Sequence, residues 1–244
     1  MMPKVVILAG GPATRLYPLT HTVPKAMIEV AGKPFIAHQL ELLKKNGIEN
    51  VVICLGYLGE RIKDFIKEGE NFGIKVEYSF DGEKLLGTAG AINKALNLLE
   101  DVFFVIYGDS YLRAPFKAIS NYFLSQDKSG LLTIIKNQNR WDKSNVVYNK
   151  GKIIKYDKKN PTANMEYIDY GLALLKKEIF LQRGWGQVFD LDRVYEDLIQ
   201  EGEMLAYEVK ERFFEIGSLS GLEETRKYLE EMSKMKNNRS RDEG

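Results

Sequence analysis

A glycine pair followed by an arginine is the first combination of residues in this chain that could do chemistry. It lies in LAGGPATRLYPLT, residues 8–20, directly after the apolar run KVVILA. Gly10 and Gly11 allow backbone N–H groups to approach an anion closely, and Arg15 offers a planar fork of donors that fits a phosphate. Lys25, in VPKAM, supplies a second positive charge. These residues are consistent with a phosphate-binding loop, and equally with a glycine turn flanked by solvated cations.

The spacing of the glycines separates this loop from two common nucleotide motifs. GGPATR matches neither G-x-G-x-x-G nor G-x-x-x-x-G-K-[ST], so the dinucleotide and P-loop fingerprints do not apply. An NAD-binding oxidoreductase is therefore disfavoured. The single cysteine, Cys54, lies in the apolar run NVVICLG without a histidine pattern, which indicates a buried strand thiol rather than a nucleophile.

Apolar runs and amphipathic stretches alternate through the first half of the chain. This alternation predicts a parallel α/β sheet with right-handed crossovers. Ligands bind beyond the carboxyl ends of the strands in such sheets, where the glycine loop, the loop before TAGAINKAL and the segment YGDSY all fall. The predicted strands are 4–9, 50–56, 74–80 and 102–109, and the predicted helices are 34–47, 59–69 and 88–99.

The pattern changes after residue 130, where short strands predominate. LLTIIK, NVVYN, KIIKYD and YIDYGLALL are predicted strands, with a hairpin turn at Asn149-Lys150-Gly151. A helix is predicted at 190–202 with Asp190 as N-cap, followed by the strand MLAYEV and an amphipathic C-terminal helix. The charged residues 236–244 are expected to form a flexible tail.

Composition narrows the classes of partner. The 244 residues are 44% hydrophobic, enough for one large core, and the net charge is +1. Such a balance indicates neither nucleic acid nor an anionic membrane as partner. No window approaches the roughly 18 apolar residues of a spanning helix, and the N-terminus lacks a signal-peptide pattern. With one cysteine there is no intramolecular disulfide. We expect a soluble cytoplasmic protein, and a homo-oligomer is left open.

Several motifs, in chain order, resemble the signature of the sugar-phosphate nucleotidyltransferases, also called nucleoside-diphosphate-sugar pyrophosphorylases. They are GGPATRLYPLT, the following P-K and G-K-P, LGTAGAINKA (86–95), YGDS (107–110) and FEIGS (214–218). The resemblance implies one domain with a Rossmann-like mixed sheet flanked by helices. It places a nucleoside triphosphate in residues 1–130 and a sugar 1-phosphate in a smaller β-rich lobe, residues 131–235.

The resemblance also implies roles for residues of the nucleotide half. Arg15, Lys25 and Asp109 are the implied catalytic residues: Arg15 grips the β- and γ-phosphates, Lys25 neutralises the α-phosphate and Asp109 binds Mg²⁺. Gly87 and Thr88 of LGTAG (86–90) match the family's base-reading loop, and the acidic residue that precedes this loop is either Asp81 or Glu83. The implied nucleotide-binding set is Leu8, Ala9, Gly10, Gly11, Thr14, Arg15, Lys25, Asp81, Glu83, Gly87 and Thr88.

In the second half, the resemblance implies a sugar-phosphate site and a second metal ligand. Lys158 matches the lysine that holds the sugar phosphate, with Asp157 in place of the family's glutamate. Glu215 stands where many members carry a metal-binding aspartate. The implied sugar-phosphate-binding set is Gly108, Asn145, Asp157, Lys158, Asp169 and Gly171.

The chain also departs from the family pattern in the glycine loop and near the sugar site. Pro12 and Ala13 occupy the end of the glycine loop, where the usual GG-x-G-T-R has a third glycine at position 13. Asn145 stands near the usual sugar-contacting glycine, which signals an unusual sugar.

We therefore expect an Mg²⁺-dependent enzyme that makes an NDP-sugar and pyrophosphate, for cell-surface glycan precursors of the mannose, heptose or N-acetylmuramate type. A sugar 1-phosphate is already anionic at neutral pH, so the lack of a histidine motif is no objection. Two alternatives remain. One is a cytidylyltransferase for an alcohol phosphate such as phosphocholine, and the other is a non-catalytic nucleotide-sugar sensor on the same fold.

Overall fold

The structure is a computed structural model that describes residues 2–242, with side chains described through residue 235. Its strands, in chain order, are β1 (Lys4–Ala9), β2 (Glu29–Val30), β3 (Lys33–Pro34), β4 (Asn50–Leu55), β5 (Lys75–Phe80), β6 (Val102–Tyr107), β7 (Ser110–Tyr111), β8 (Gly130–Lys136), β9 (Val146–Asn149), β10 (Lys152–Tyr156), β11 (Tyr167–Lys176), β12 (Met204–Glu208) and β13 (Phe214–Glu215).

The helices alternate with the strands of the first half and cluster at the end of the second. They are α1 (Phe35–Lys45), α2 (Gly59–Ile66), α3 (Gly87–Lys94), α4 (Phe116–Leu124), α5 (Glu178–Gln182), α6 (Leu191–Gln200) and α7 (Leu219–Asp242). Short turns of 3₁₀ helix lie at Thr14–Leu16, Leu19–His21, Lys25–Met27, Glu70–Phe72 and Leu96–Leu98. Among the described residues, no helix is long and apolar enough to cross a membrane.

One mixed sheet runs through both halves of the described chain. Its order is β10-β9-β11-β6-β1-β4-β5, with β8 beside β11 and β12 beside β8. β6, β1, β4 and β5 are parallel neighbours, as the alternating pattern predicts. β11 lies antiparallel to β6 and joins the second half to the same sheet. The carboxyl ends of the four parallel strands therefore open toward one edge.

The sheet is buried on both faces because successive side chains of its central strands point to opposite sides. In β1, Val5 and Ile7 pack into the core beneath α1, α2 and α4, whereas Val6 packs into the core beneath α3 and α6. A strand buried on both sides reads as a continuous apolar run, which is what KVVILA shows.

A third, smaller core holds the glycine loop against the last helix. Leu16, next to Arg15, is buried with Ile216 and with Leu222 and Leu229 of α7. Burial of Leu16 fixes this side of the loop while its neighbour Arg15 stays exposed.

The helices and strands predicted from the sequence are present, with ends shifted by a few residues. Gly47 follows α1 at φ +78°, the left-handed conformation typical of a helix-terminating glycine. The predicted hairpin joins β9 and β10, with Gly151 at φ +84°. The predicted tail, 236–244, overlaps the end of α7, and its last two residues lie outside the described residues. The prediction omitted the helices α4 and α5 and the pairs β2–β3 and β7–β13. Each strand of these two pairs has two residues, too few to show periodicity.

The role predicted for Asp190 needs correction. Asp190 occupies the N-cap position of α6, but its side chain makes no hydrogen bond to that helix within the described residues. Its carboxylate accepts hydrogen bonds from Thr88 instead. A capping residue can be predicted from local sequence, but a partner about 100 positions away cannot.

Candidate functional site

A cavity of about 310 Å³ opens at the carboxyl ends of the parallel strands. Most residues of the predicted nucleotide set line it, because β1, β4 and β6 all end at this point. They are Leu8, Ala9, Gly10, Gly11, Lys25, Asp81, Gly87 and Thr88, joined by Gly108 and Asp109. The structure adds lining residues that the sequence analysis did not assign to the site: Ala26, Cys54, Leu85, Ala91, Tyr107 and Asp190.

A second, larger cleft of about 940 Å³ lies between the glycine loop and the β-rich lobe. Thr14 and Arg15 face it from one side, and Lys158 from the other. Asn145, Asp169, Gly171 and Glu215 also line it. Lys25, Tyr107 and Asp109 line both cavities, so the two spaces meet at these three residues. The predicted triphosphate and sugar-phosphate residues therefore converge on one junction.

The glycine loop keeps the backbone conformation of a glycine at the position where this chain has alanine. Ala13 lies at φ 52° and ψ 45°, in the left-handed region that residues with a side chain rarely adopt. The hydroxyl of buried Thr20 donates to the Ala13 carbonyl oxygen at 2.9 Å and holds this turn. The chain therefore forms this turn with alanine at the position of the family's third glycine. Arg15 follows in an exposed 3₁₀ turn that lines the larger cleft.

At the junction of the two cavities, Lys25 and Asp109 form an ion pair. Lys25 Nζ lies 2.6 Å from Asp109 Oδ2, and both side chains are about three-quarters buried. The other carboxylate oxygen, Oδ1, accepts a hydrogen bond from the Ser110 hydroxyl at 3.2 Å. The site therefore holds a cation and an anion side by side at the end of β6.

Asp109 and Glu215 come from different halves of the chain and are brought together by the short pair β7–β13. Glu215 lies opposite Ser110 in that pair, and the Ile216 N–H donates to the Asp109 carbonyl oxygen at 2.9 Å. A Cβ placed on Gly217 would lie 2.7 Å from Glu215 Oε2 and 3.1 Å from Asp109 Oδ2. The two carboxylate oxygens are therefore no more than about 6 Å apart.

The chemistry of these donors fits a hard divalent cation such as Mg²⁺. Mg²⁺ is held by one or two carboxylates, with waters and substrate phosphates completing the octahedron. Glu215 is oriented by the Gly217 N–H at Oε2 and by the Ser218 hydroxyl, 2.7 Å from Oε1. Among the described residues, no group of three or more histidine, cysteine or acidic side chains forms a complete metal cage. A cation held here needs ligands from substrate or solvent.

Lys158 lines the larger cleft, where acidic and aromatic groups surround it. Its Nζ is 2.9 Å from Asp169 Oδ2 and 3.6 Å from Asp192 Oδ1. It also lies 5.2 Å from the centroid of the Tyr107 ring. Burial tends to lower the pKa of Lys158, but the two carboxylates outweigh this and raise the pKa well above its ordinary value. Lys158 is therefore a fixed positive charge.

Asn145 and Gly171 line the larger cleft and also form hydrogen bonds with Asp169. The Asn145 side-chain oxygen accepts a hydrogen bond from the Asp169 N–H at 2.9 Å. The Gly171 N–H donates to Asp169 Oδ1 at 2.8 Å. Gly171 has φ +91°, which a residue with a side chain rarely adopts. These contacts fix the carboxylate that holds Lys158.

Two predicted site residues lie away from both cavities among the described residues. Glu83 is exposed in the loop after β5, whereas Asp81 lines the smaller cavity, so the geometry favours Asp81 of the two candidates. Burial raises the pKa of Asp81, although the Leu86 N–H that donates to it opposes the shift. Asp157 accepts hydrogen bonds from the N–H groups of Lys159 and Asn160 and shapes the turn after β10.

Cys54 has the structural role that its surroundings in the sequence indicate. It is 1% exposed, and burial raises the pKa of its thiol to about 12. The protonated thiol packs at the wall of the smaller cavity and is a poor nucleophile there.

Both clefts lie at the carboxyl ends of the strands of a Rossmann-like sheet, the arrangement of α/β nucleotide-binding folds. A family model described as nucleotidyl transferase matches residues 4–231, and the chain belongs to that family. This confirms the family predicted from the motifs.

Curated relatives carry three different sugar-phosphate activities in their names. A UTP--glucose-1-phosphate uridylyltransferase from Synechocystis is 31% identical over 77% of this chain and 53% of its own length. The catalytic subunit beta of mannose-1-phosphate guanylyltransferase from Xenopus tropicalis is 30% identical over 88% of this chain and 61% of its own length. A D-glycero-alpha-D-manno-heptose 1-phosphate guanylyltransferase from Campylobacter jejuni is 29% identical over 88% of this chain and 94% of its own length. This chain thus spans only about half to three-fifths of the first two relatives.

The fold agrees with that of solved structures. HddC from Yersinia pseudotuberculosis, solved in complex with GMP-PN, superposes with a TM-score of 0.76 at 25% identity, covering 93% of this chain and all of that one. The predicted fold class, a mixed Rossmann-like sheet flanked by helices, is confirmed.

Proposed function

We propose that this protein transfers a nucleoside monophosphate from a nucleoside triphosphate to a sugar 1-phosphate, releasing pyrophosphate. The observation that carries the proposal is the junction of the two clefts at Lys25 and Asp109. A nucleotide in the smaller cavity and a phosphate near Lys158 in the larger cleft would meet there. The names of the relatives support the same reaction class.

The reaction needs no general base. The second pKa of a phosphate monoester is about 6, so a sugar 1-phosphate carries nearly two negative charges at neutral pH. One of its phosphate oxygens attacks the α-phosphorus and forms a new P–O bond. The bond from the α-phosphorus to the bridging oxygen of the β-phosphate breaks, and its electron pair leaves with pyrophosphate. Alignment and neutralisation of charge are the tasks left to the protein.

The described residues divide these tasks by position. Arg15 and the backbone of the glycine loop bind the β- and γ-phosphates, whose departure as pyrophosphate increases the charge that Arg15 faces. Lys25, released from Asp109, neutralises the α-phosphate. Lys158 binds the phosphate of the incoming sugar, and the pair of carboxylates on this lysine keeps it oriented before substrate arrives.

Asp109 and Glu215 are the residues that would hold Mg²⁺. Bound there, the metal would supply charge stabilisation at the α-phosphate. With Asp109 committed to the metal, Lys25 would be available to the nucleotide, and the ion pair between these residues would be replaced by one contact with the metal and one with substrate.

The sugar and the base are assigned from the relatives and the chain's own departures. We propose a mannose-, heptose- or N-acetylmuramate-type sugar 1-phosphate and a guanylyl or uridylyl donor. We propose a cytoplasmic location, because both substrates are charged and water-soluble. A sensor would not need the paired carboxylates at Asp109 and Glu215. A cytidylyltransferase for phosphocholine would use the same glycine loop and stays the alternative enzyme.

The test is a screen for pyrophosphate release with purified protein and Mg²⁺. Four nucleoside triphosphates are crossed with a panel of sugar 1-phosphates, with phosphocholine as a separate arm. We expect turnover with at least one sugar 1-phosphate and a nucleotide sugar detected by mass spectrometry. Turnover with phosphocholine and CTP alone would establish the alternative. Nucleotide-sugar binding without turnover in any combination would establish the sensor.

A further inference from the structure

The predicted base-reading loop, LGTAG at 86–90, is covered by a main-chain segment from the other half of the protein. We call residues 187–190, QVFD, the covering segment. A Cβ on Gly87 would lie 2.5 Å from the Phe189 carbonyl oxygen, and a Cβ on Gly90 would lie 2.6 Å from the Gln187 carbonyl oxygen. Both distances are too short for any side chain. Both glycines of this motif therefore allow the covering segment to approach closely, and Gly87 also lines the smaller cavity.

Hydrogen bonds run in both directions between the loop and the covering segment. The N–H groups of Ala89 and Gly90 both donate to the Phe189 carbonyl oxygen at 3.1 Å, and the Phe189 N–H donates to the Leu86 carbonyl oxygen at 3.1 Å. The first N–H groups of a helix have no partner within it, so Phe189 satisfies two donors at the beginning of α3.

Asp190 and Thr88 exchange capping contacts between α3 and α6. Asp190 Oδ1 accepts from the Thr88 N–H at 2.9 Å and from the Thr88 hydroxyl at 3.1 Å. The Thr88 hydroxyl in turn accepts from the Leu191 N–H, at the first residue of α6, at 2.8 Å. Each side chain thus satisfies a helix terminus that belongs to the other half of the chain.

The same turn of α6 reaches the second substrate region. Asp192, two residues beyond Asp190, accepts a hydrogen bond from the Tyr156 hydroxyl at 3.0 Å and lies 3.6 Å from Lys158 Nζ. Asp190 itself lines the smaller cavity beside Gly87 and Asp81. The start of α6 therefore contacts the loop of the nucleotide cavity and the lysine of the sugar-phosphate cleft.

We infer that Asp190 is a positioning residue of the nucleotide site, which acts through Thr88 to hold the LGTAG loop against the nucleobase. The inference rests on the proposed function, because it assigns the smaller cavity to the nucleotide. Two of the five residues of the motif 86–90 are glycines, which leave its backbone conformation weakly constrained. Asp190 supplies the missing constraint with two charge-assisted hydrogen bonds, which are stronger than neutral ones.

The experiment compares four variants by calorimetric binding of GTP and UTP with Mg²⁺ and by the KM for each substrate. Asp190→Ala removes both contacts to Thr88. Asp190→Asn keeps an oxygen that accepts them. Thr88→Val keeps the shape of the side chain and removes the hydroxyl. The matched control is Asp197→Ala on the same helix, which loses only a 3.7 Å ion pair with Arg183.

Asp190→Ala is expected to raise the Kd and KM of the nucleotide about tenfold, the size of effect for one lost hydrogen bond to a charged group. The KM of the sugar 1-phosphate should change less than about twofold. Asp190→Asn should recover most of the nucleotide affinity, Thr88→Val should lose part of it, and Asp197→Ala should match the wild type. A merely structural contact would not produce this split between the two substrates.

Unchanged nucleotide affinity in Asp190→Ala would overturn the inference, as would equal effects on both substrates together with a lower Tm. If the wild type binds nucleotide but transfers nothing in the substrate screen, the proposed reaction fails. The Kd comparison then still decides the role of Asp190.

Discussion

Lys25 Nζ lies 2.6 Å from Oδ2 of Asp109, and both residues line the smaller cavity as well as the larger cleft. The pair joins the cation proposed for the α-phosphate to the carboxylate proposed for the metal. Each neutralises the other when no substrate is present, which lowers the cost of holding two charges in a partly buried position. Binding of a metal–nucleotide complex would replace this pair by two new ones.

Asp109→Asn tests the carboxylate of this pair. Asparagine keeps the size and the acceptor oxygen but removes the charge that a divalent cation requires, so we expect kcat to fall by at least about 100-fold. Steady-state kinetics over a range of Mg²⁺ concentrations measures this. A chelator should abolish wild-type turnover, and added Mg²⁺ should restore it.

Thermal unfolding separates loss of chemistry from loss of fold in Asp109→Asn. The Tm should stay within a few degrees of the wild type, because asparagine keeps an acceptor oxygen for Lys25 and both side chains are about one-quarter exposed. Turnover close to that of the wild type, with normal Mg²⁺ dependence, would remove Asp109 from the metal site.

Arg15→Ala tests the phosphate clamp. We expect kcat/KM for the nucleotide to fall about 100-fold, because a charge-assisted clamp on the leaving pyrophosphate is lost. Arg15→Lys should recover only part of the rate, since lysine lacks the planar fork. Arg113→Ala is a suitable control, because Arg113 makes an exposed 2.7 Å ion pair with Glu211 and lines neither cavity. Equal rates for Arg15→Ala and this control would show that Arg15 is a surface residue with no role in binding the phosphates.

Lys158→Ala tests the assignment of the larger cleft. The KM for sugar 1-phosphate should rise by more than tenfold, whereas the KM for the nucleotide should change little. Initial rates with each substrate varied in turn measure the split. If the nucleotide KM rises as much, Lys158 does not belong to a separate sugar-phosphate site.

The sequence predicts the parallel half of the sheet well because each buried strand is a long apolar run, such as KVVILA. It also predicts that Lys25 and Asp109 lie near the glycine loop, since both follow structural elements that end at the same edge. It does not separate Asp157 from Lys158, because both follow the end of β10, where the conformation of the turn sets the direction of each side chain. Nor does it predict the contact between Thr88 and Asp190, which depends on how α6 packs against α3.

Ala13→Gly tests the strain in the glycine loop. The left-handed region costs an L-residue roughly 1–2 kcal/mol, whereas the added flexibility of glycine in the unfolded chain costs roughly 0.4–1 kcal/mol. The free energy of unfolding should therefore rise by about 0.5–1 kcal/mol. Urea denaturation measures the difference. Ala118→Gly, at an exposed position inside α4, should lower stability by about the same amount. Destabilisation in both variants would show that the Ala13 turn is unstrained.

Gly221→Ala tests the positioning of Glu215 without changing either carboxylate. A Cβ at position 221 would overlap Glu215 Oε1 and lie 2.8 Å from the Glu215 carbonyl oxygen, so the carboxylate must move away. We expect the Mg²⁺ concentration for half-maximal activity to rise about tenfold, because the cation loses one well-placed oxygen ligand. Gly221 lies in the first turn of α7, where alanine is a better helix former than glycine, and thermal unfolding checks that the variant keeps its fold. Gly184→Ala is the matched control, since no atom lies within 4 Å of its added Cβ. An unaltered Mg²⁺ requirement in Gly221→Ala would place Glu215 outside the metal site.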